Sequence, residues 1–219
     1  MSRPANNNAA GYLELDHHFE TLEQQQETCS IGMWAFLLQE LMFFGGLFLA
    51  YMVFRFKYPS AFAEGSEHLD VTLGTLNTAV LIGSSLTMAL AVRTAQLGRN
   101  LATTLWIGAT LGLSLVFLGI KTVEYTSKYE HGLIPGVAWQ PGAGADPELH
   151  LFFGIYFVMT GMHALHMFIG LVLMVIVGVK ALRGRYSPGN HIGVEMLGLY
   201  WHFVDLVWIF LFPLLYLIH

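Results

Sequence analysis

Five runs of roughly twenty apolar residues, parted by short polar stretches, restrict this chain more than any other feature of its sequence. A bilayer core of about 30 Å takes about 20 helical residues to cross. The runs Ile31–Phe54, Leu73–Val92, Leu101–Ile120, Leu151–Val179 and Leu197–Ile218 all reach that length. Backbone groups in hydrocarbon must be hydrogen-bonded within their own segment, so each run is predicted to be an α-helix. The period-2 alternation of a membrane β-barrel is missing. Composition agrees, with 55% of the 219 residues hydrophobic and only 11% charged, against about a quarter charged in soluble domains. The expected fold is all-α: an integral membrane bundle of five transmembrane helices over residues 31–219, behind a polar, acidic tail over 1–30.

The net charge of −5 comes mostly from that tail, where Glu14, Asp16, Glu20, Glu23 and Glu27 cluster. No basic stripe is present, which excludes nucleic acid as a partner. The single Cys29 excludes an internal disulfide and any CxxC motif. The opening MSRPANNNAAG has no apolar signal-peptide core, so insertion is expected to rest on the first span. Leu15, Phe19 and Leu22 repeat at helical spacing, fitting either a short interfacial helix or a solvated tail. Residues 55–72, 93–100, 121–149 and 180–190 read as connections, the third being rich in Pro and Gly. Lys and Arg number six on the side of the N-terminus and four on the other. That excess favours a cytoplasmic N-terminus and an external C-terminus, and the expected location is a bacterial inner membrane.

Ionisable groups inside spans are costly and face protein or water. Glu40 stands in the first span; it reads either as a proton-handling carboxyl or as a neutral one bonded to a neighbouring helix. In the second span Asn77, Thr78, Ser84 and Ser85 occupy adjacent strips of one face, which suits close helix packing. Gly108 and Gly112 form a GxxxG pair in the third span, with Gly119 seven residues on, also read as a packing groove. Lys121, Glu124 and Lys128 can pair on a helix surface at the end of that span. In the fourth, Tyr156, Thr160 and His163 share a face that His166 flanks. In the fifth, Glu195, Gly198, His202 and Asp205 form one stripe, with Trp201 and Trp208 beside it. Histidines at i, i+3 can ligate a metal or haem, or simply bond between helices. Residue spacing leaves both readings open.

The stretches around these residues resemble subunit III of the haem–copper terminal oxidases. YWHFVDLVWIFLFPLLY (200–216) is similar to that family's C-terminal signature, and TGMHALHMFIG (160–170) to its TGxHxLHxxxG element. QELMFFGGLFLAY (39–51), LNTAVLIGSSLTM (76–88), FLGIKTVEY (117–125) and HIGVE (191–195) resemble further elements in the same order. The resemblance implies a non-catalytic subunit that binds no haem, copper or other metal. Those cofactors would sit in partner catalytic subunits. The chain would lie against oxidase subunit I among the other oxidase subunits, hold structural phospholipid, support proton uptake and join larger respiratory supercomplexes. Glu40 would be the family's carbodiimide-reactive carboxyl. Tyr156, Thr160, His163, His166, Glu195, His202 and Asp205 would form an internal polar network, and Lys180 or Arg183 would meet a lipid phosphate. Two departures stand out. Many members have seven helices, with a lipid-filled cleft beside the first pair, which this chain lacks. Gln39 also replaces the common Ser before the glutamate, a change that bears on how Glu40 is bonded. A nitric oxide reductase-associated relative is an alternative reading. A membrane b-type cytochrome using His150, His163, His166 and His202 is another. A transporter fits less well, because the Gly/Pro interruptions do not recur in matched halves.

Overall fold

The computed structural model describes residues 21–136, 138–140 and 146–217. The Leu15/Phe19 pattern and most of the acidic tail lie outside them. Among the described residues six helices follow in order: α1 (Leu22–Lys57), α2 (Pro59–Glu67), α3 (Val71–Gln96), α4 (Asn100–Glu130), α5 (Leu149–Leu182) and α6 (Ile192–Tyr216). A short antiparallel hairpin, β1 (Leu133–Ile134) with β2 (Ala138–Trp139), sits between α4 and α5. All but α2 are long and apolar enough to cross a membrane. The five expected spans are therefore present, each longer than its apolar run.

The helix ends explain the extra length. Thr21 caps α1 by accepting from the Gln24 amide, so the helix starts nine residues ahead of the expected Ile31. Asp70 accepts from the amides of Thr72 and Leu73 at the start of α3, the usual N-cap arrangement. Gly98 and Gly184 end α3 and α5 with φ of 69° and 68°. The amides of Arg99 and Gly98 bond back to Thr94 and Ala95, and those of Arg185 and Gly184 to Lys180 and Ala181. Both are Schellman endings, which need a left-handed residue that glycine adopts freely. Helix α2 corrects the loop reading of 55–72. Pro59 opens it, and Ala61, Phe62, Gly65 and Ser66 form its buried side. It is too short and polar to register as a span.

The buried positions of α3 are 74, 77, 81, 84, 88, 91 and 95; those of α4 are 103, 107, 110, 114, 117, 121, 124 and 128. Alternating steps of three and four residues give the 3.5-residue period of two helices packed as a left-handed coil. The seam is rich in polar and small side chains, while Leu76, Ile82, Leu86, Leu105 and Leu115 face outward. Thr87 bonds Thr110, and Thr103 bonds Thr94, across it. Lipid tails are as apolar as leucine, so such contacts and close packing hold helices together where hydrophobic burial cannot. Helix α6 lies antiparallel on α3: the Trp201 and Trp208 indoles donate to Ser84 and Thr78, so the polar strips of α3 do bond between helices.

The glycines divide differently from expectation. Gly108, Gly112 and Gly119 are exposed, and a Cβ built on any of them meets nothing within 4 Å. Among the described residues, the GxxxG pair packs against no other helix. Close approach occurs instead at Gly170, where a Cβ would stand 2.8 Å from the Trp201 ring, and at Gly198, where it would stand 2.8 Å from Val92. Gly170→Ala is expected to cost about 1–3 kcal/mol through overpacking, seen as a lower unfolding midpoint in detergent, whereas Gly112→Ala leaves it unchanged.

Candidate functional site

The residues expected to form one polar network fall into four separate groups. The most connected lies where α4, α5 and α6 converge. Lys121 Nζ donates to Glu124 Oε2 at 2.9 Å and also to the Tyr216 hydroxyl. The Tyr156 hydroxyl donates to Glu124 Oε1 at 2.8 Å, and Tyr216 donates to the same oxygen. The ammonium stands 4.6 Å from the Trp208 ring centroid and 5.0 Å from that of Tyr216, close enough for cation–π attraction. Tyr125 and Thr160 bond beside it at 2.5 Å. Lys121 and Glu124 are buried rather than on the helix surface. Lys128 does not join them; it donates to the His68 carbonyl and ties α4 to the end of α2.

His163 is buried against Phe117 and Trp208, with ring centroids 5.8 and 5.3 Å away. Neither of its nitrogens has a hydrogen-bond partner among the described residues. His166 turns the other way, toward α1. Its Nε2 meets Glu40 Oε2 at 3.0 Å and its Nδ1 meets the Met162 carbonyl at 2.8 Å. The Tyr200 hydroxyl donates to the His166 carbonyl, tying α6 to the same turn of α5. Gln39 is exposed, on a different side of α1 from the buried Glu40. The amide therefore leaves the Glu40–His166 contact undisturbed.

The Glu195–His202–Asp205 stripe faces α3, as three local contacts rather than a relay. Glu195 Oε1 accepts from Gln96 at 2.8 Å and lies 3.1 Å from His191. His202 Nδ1 bonds the Ser85 hydroxyl at 2.7 Å. Asp205 is buried beside the Ser85 hydroxyl, with both carboxyl oxygens closed off from the surface. Lys180 and Arg183 are exposed at the C-terminal end of α5, where basic side chains favour the helix dipole. Below them, Asn100 brackets the backbone of Tyr186 on both sides, and burial pushes that loop phenol above its ordinary value.

Among the described residues, no group of three or more His, Cys, Asp or Glu side chains converges as a metal set. Both nitrogens of His166 are occupied, so the four-histidine haem arrangement finds no free ligand there. Three tyrosines escaped notice in the sequence. Tyr216 and Tyr200 were hidden in an aromatic-rich helix. The third is Tyr51, whose hydroxyl donates to the Leu214 carbonyl in the last turn of α6.

Comparison with known proteins places this architecture. The family described as cytochrome c oxidase subunit III matches residues 143–219. Cytochrome c oxidase subunit 3 of Thermostichus vulcanus is 35% identical over 192 residues, 86% of each chain. The protein of the same name from Synechocystis sp. is 36% identical over 188 residues, 85% of this chain and 74% of the relative. The chain belongs to the cytochrome c oxidase subunit III family. A subunit of a quinol oxidase is also similar: cytochrome bo(3) ubiquinol oxidase subunit 3 of Pseudomonas aeruginosa, 27% identical over 212 residues, 97% of this chain and 95% of the relative. As an oxidase subunit III, it is an integral membrane protein of a complex with other oxidase subunits.

Within that family, the Lys121–Glu124 group reads as structural. Removing one member of a buried ion pair strands the other charge at about 3–5 kcal/mol, whereas replacing both with apolar groups is often close to neutral. Glu124→Leu is expected to lower the unfolding midpoint sharply, and Lys121→Met with Glu124→Leu to recover most of the loss. Equal midpoints for Glu124→Leu and the unmodified protein would show that the pair contributes nothing.

Proposed function

We propose that this chain is a non-catalytic subunit of an oxygen-reducing haem–copper oxidase that braces the catalytic subunit I, holds phospholipid and supports proton uptake through Glu40. The Glu40–His166 contact carries the proposal. It is a carboxyl and an imidazole 3.0 Å apart, both nearly buried, on a helix whose other inward contacts are mainly aromatic and aliphatic. Two such groups can pass one proton between them without either charge entering hydrocarbon. The same contact is one of few polar ties holding α1, with Tyr51 to Leu214 and Gln26 to the Gly189 carbonyl.

The lipid role rests on one end of the bundle. Lys180 in the last turn of α5 and Arg183 and Arg185 after it lie there, with Arg93 in the last turn of α3 and Arg99 between α3 and α4. An apolar hollow of about 310 Å³ between α1, α5 and α6 includes Val177, one turn from Lys180. Acyl chains fit the hollow and a phosphate fits the cations. That basic end is the cytoplasmic one under the positive-inside rule, which puts the N-terminus of α1 inside and the C-terminus outside a bacterial inner membrane. The same reading extends to membership of a larger respiratory supercomplex.

Glu40→Gln keeps the size and the hydrogen bond to His166 but removes the titrating proton. The purified oxidase is expected to retain its subunits, haem content and initial rate, while losing activity severalfold sooner under continuous turnover. Unchanged turnover lifetime and proton uptake would reduce Glu40 to a helix tie.

A further inference from the structure

The α3–α4 and α5–α6 connections lie at one end of the bundle and are pinned to each other. Asn100 Nδ2 donates to the Tyr186 carbonyl at 2.8 Å, and its Oδ1 accepts from the Tyr186 amide at 3.2 Å. Gly98 lies so close to Pro188 that an added Cβ would stand 2.9 Å from the proline ring. Around this junction stand Arg93, Arg99, Arg183 and Arg185, all exposed. None of the four guanidinium groups makes a hydrogen bond or ion pair among the described residues. The carboxylate in the first turn of α6, Glu195, is engaged by Gln96 and His191 instead.

The start of α1 reaches the same junction, where Gln26 Nε2 donates to the Gly189 carbonyl at 3.3 Å. The chain ahead of α1 therefore sets out from the edge of a cationic platform. Residues 14–20, ELDHHFE, lie outside the described residues and carry Glu14, Asp16 and Glu20 with no Lys or Arg. Extended, the stretch from Glu20 back to Glu14 reaches about 20 Å. We propose that this acidic segment folds back onto Arg93, Arg99, Arg183 and Arg185 and clamps α1 to the two pinned loops. Charge complementarity selects the occupant, and the tether supplies it. Exposed ion pairs are individually weak, but attachment to the same chain gives the segment an effective concentration in roughly the millimolar range. Guanidinium groups also grip carboxylates through two parallel hydrogen bonds. The clamp adds to the few polar ties of α1, which include Glu40 to His166 and Tyr51 to Leu214. It is also sensitive to ionic strength, because exposed pairs are screened over about 8 Å at physiological salt.

The test uses the full chain in phosphatidylcholine nanodiscs. Arg99→Lys with Arg185→Lys keeps the charge and supplies amines for zero-length carbodiimide coupling. At low salt, mass spectrometry is expected to find peptides joining position 99 or 185 to Glu14, Asp16 or Glu20. Their yield is expected to fall about fivefold at about 0.5 M NaCl, where screening is stronger. Separately, Arg99→Gln with Arg185→Gln is expected to speed cleavage after Glu14 and Glu20 by a glutamate-specific protease severalfold over the unmodified chain. Coupling at neither position at low salt, with cleavage unchanged in the glutamine variant, would overturn the clamp and leave those arginines to lipid phosphate.

Discussion

In hydrocarbon, apolar side chains gain nothing by leaving lipid for one another, and everything else in this bundle follows from that. Helices must instead be held by close packing and by hydrogen bonds that have no competing water. The interior accordingly carries polar side chains among its aromatic and aliphatic ones, while the outside is apolar. Asn77, Ser84, Thr103, Thr110, Ser114, Lys121 and Glu124 are buried, while Leu86, Leu105, Val116 and Phe168 face out. The heptad-like spacing of α3 and α4 gives that polar seam a continuous partner surface. The tryptophans of α6, seven residues apart, lock onto hydroxyls six apart on α3.

The polar groups are not equal in this arrangement. Lys121, Glu124, Tyr156 and Tyr216 satisfy one another fully and join three helices at one point. Glu40 and His166 hold a helix that is otherwise lightly attached. The side chains of Asn77 and His163 are buried with no hydrogen bond among the described residues. The interior contacts tie the helices of the bundle to one another.

The number and approximate places of the spans were legible because length and hydropathy report directly on the bilayer. The stripe of Glu195, His202 and Asp205 was legible too, since offsets of seven and three put them on one face, and that face meets α3. What spacing did not reveal was which stripe meets which helix. His163 and His166 are three residues apart and looked like a pair, yet one packs against α4 and α6 and the other reaches α1. The GxxxG motif misled for the same reason, because its pattern permits close approach without saying that a neighbour is there. Helix α2 went unread because its amphipathic side is a single turn or two and its composition resembles a loop.

The proposed function makes this chain a support beside catalytic subunits rather than a redox carrier. Affinity purification through a tag on this chain, followed by mild dissociation and a reduced-minus-oxidised spectrum of each fraction, tests that most directly. It predicts that oxidase catalytic subunits copurify and that the haem bands leave with them. Haem bands that stay with this chain after separation would contradict it.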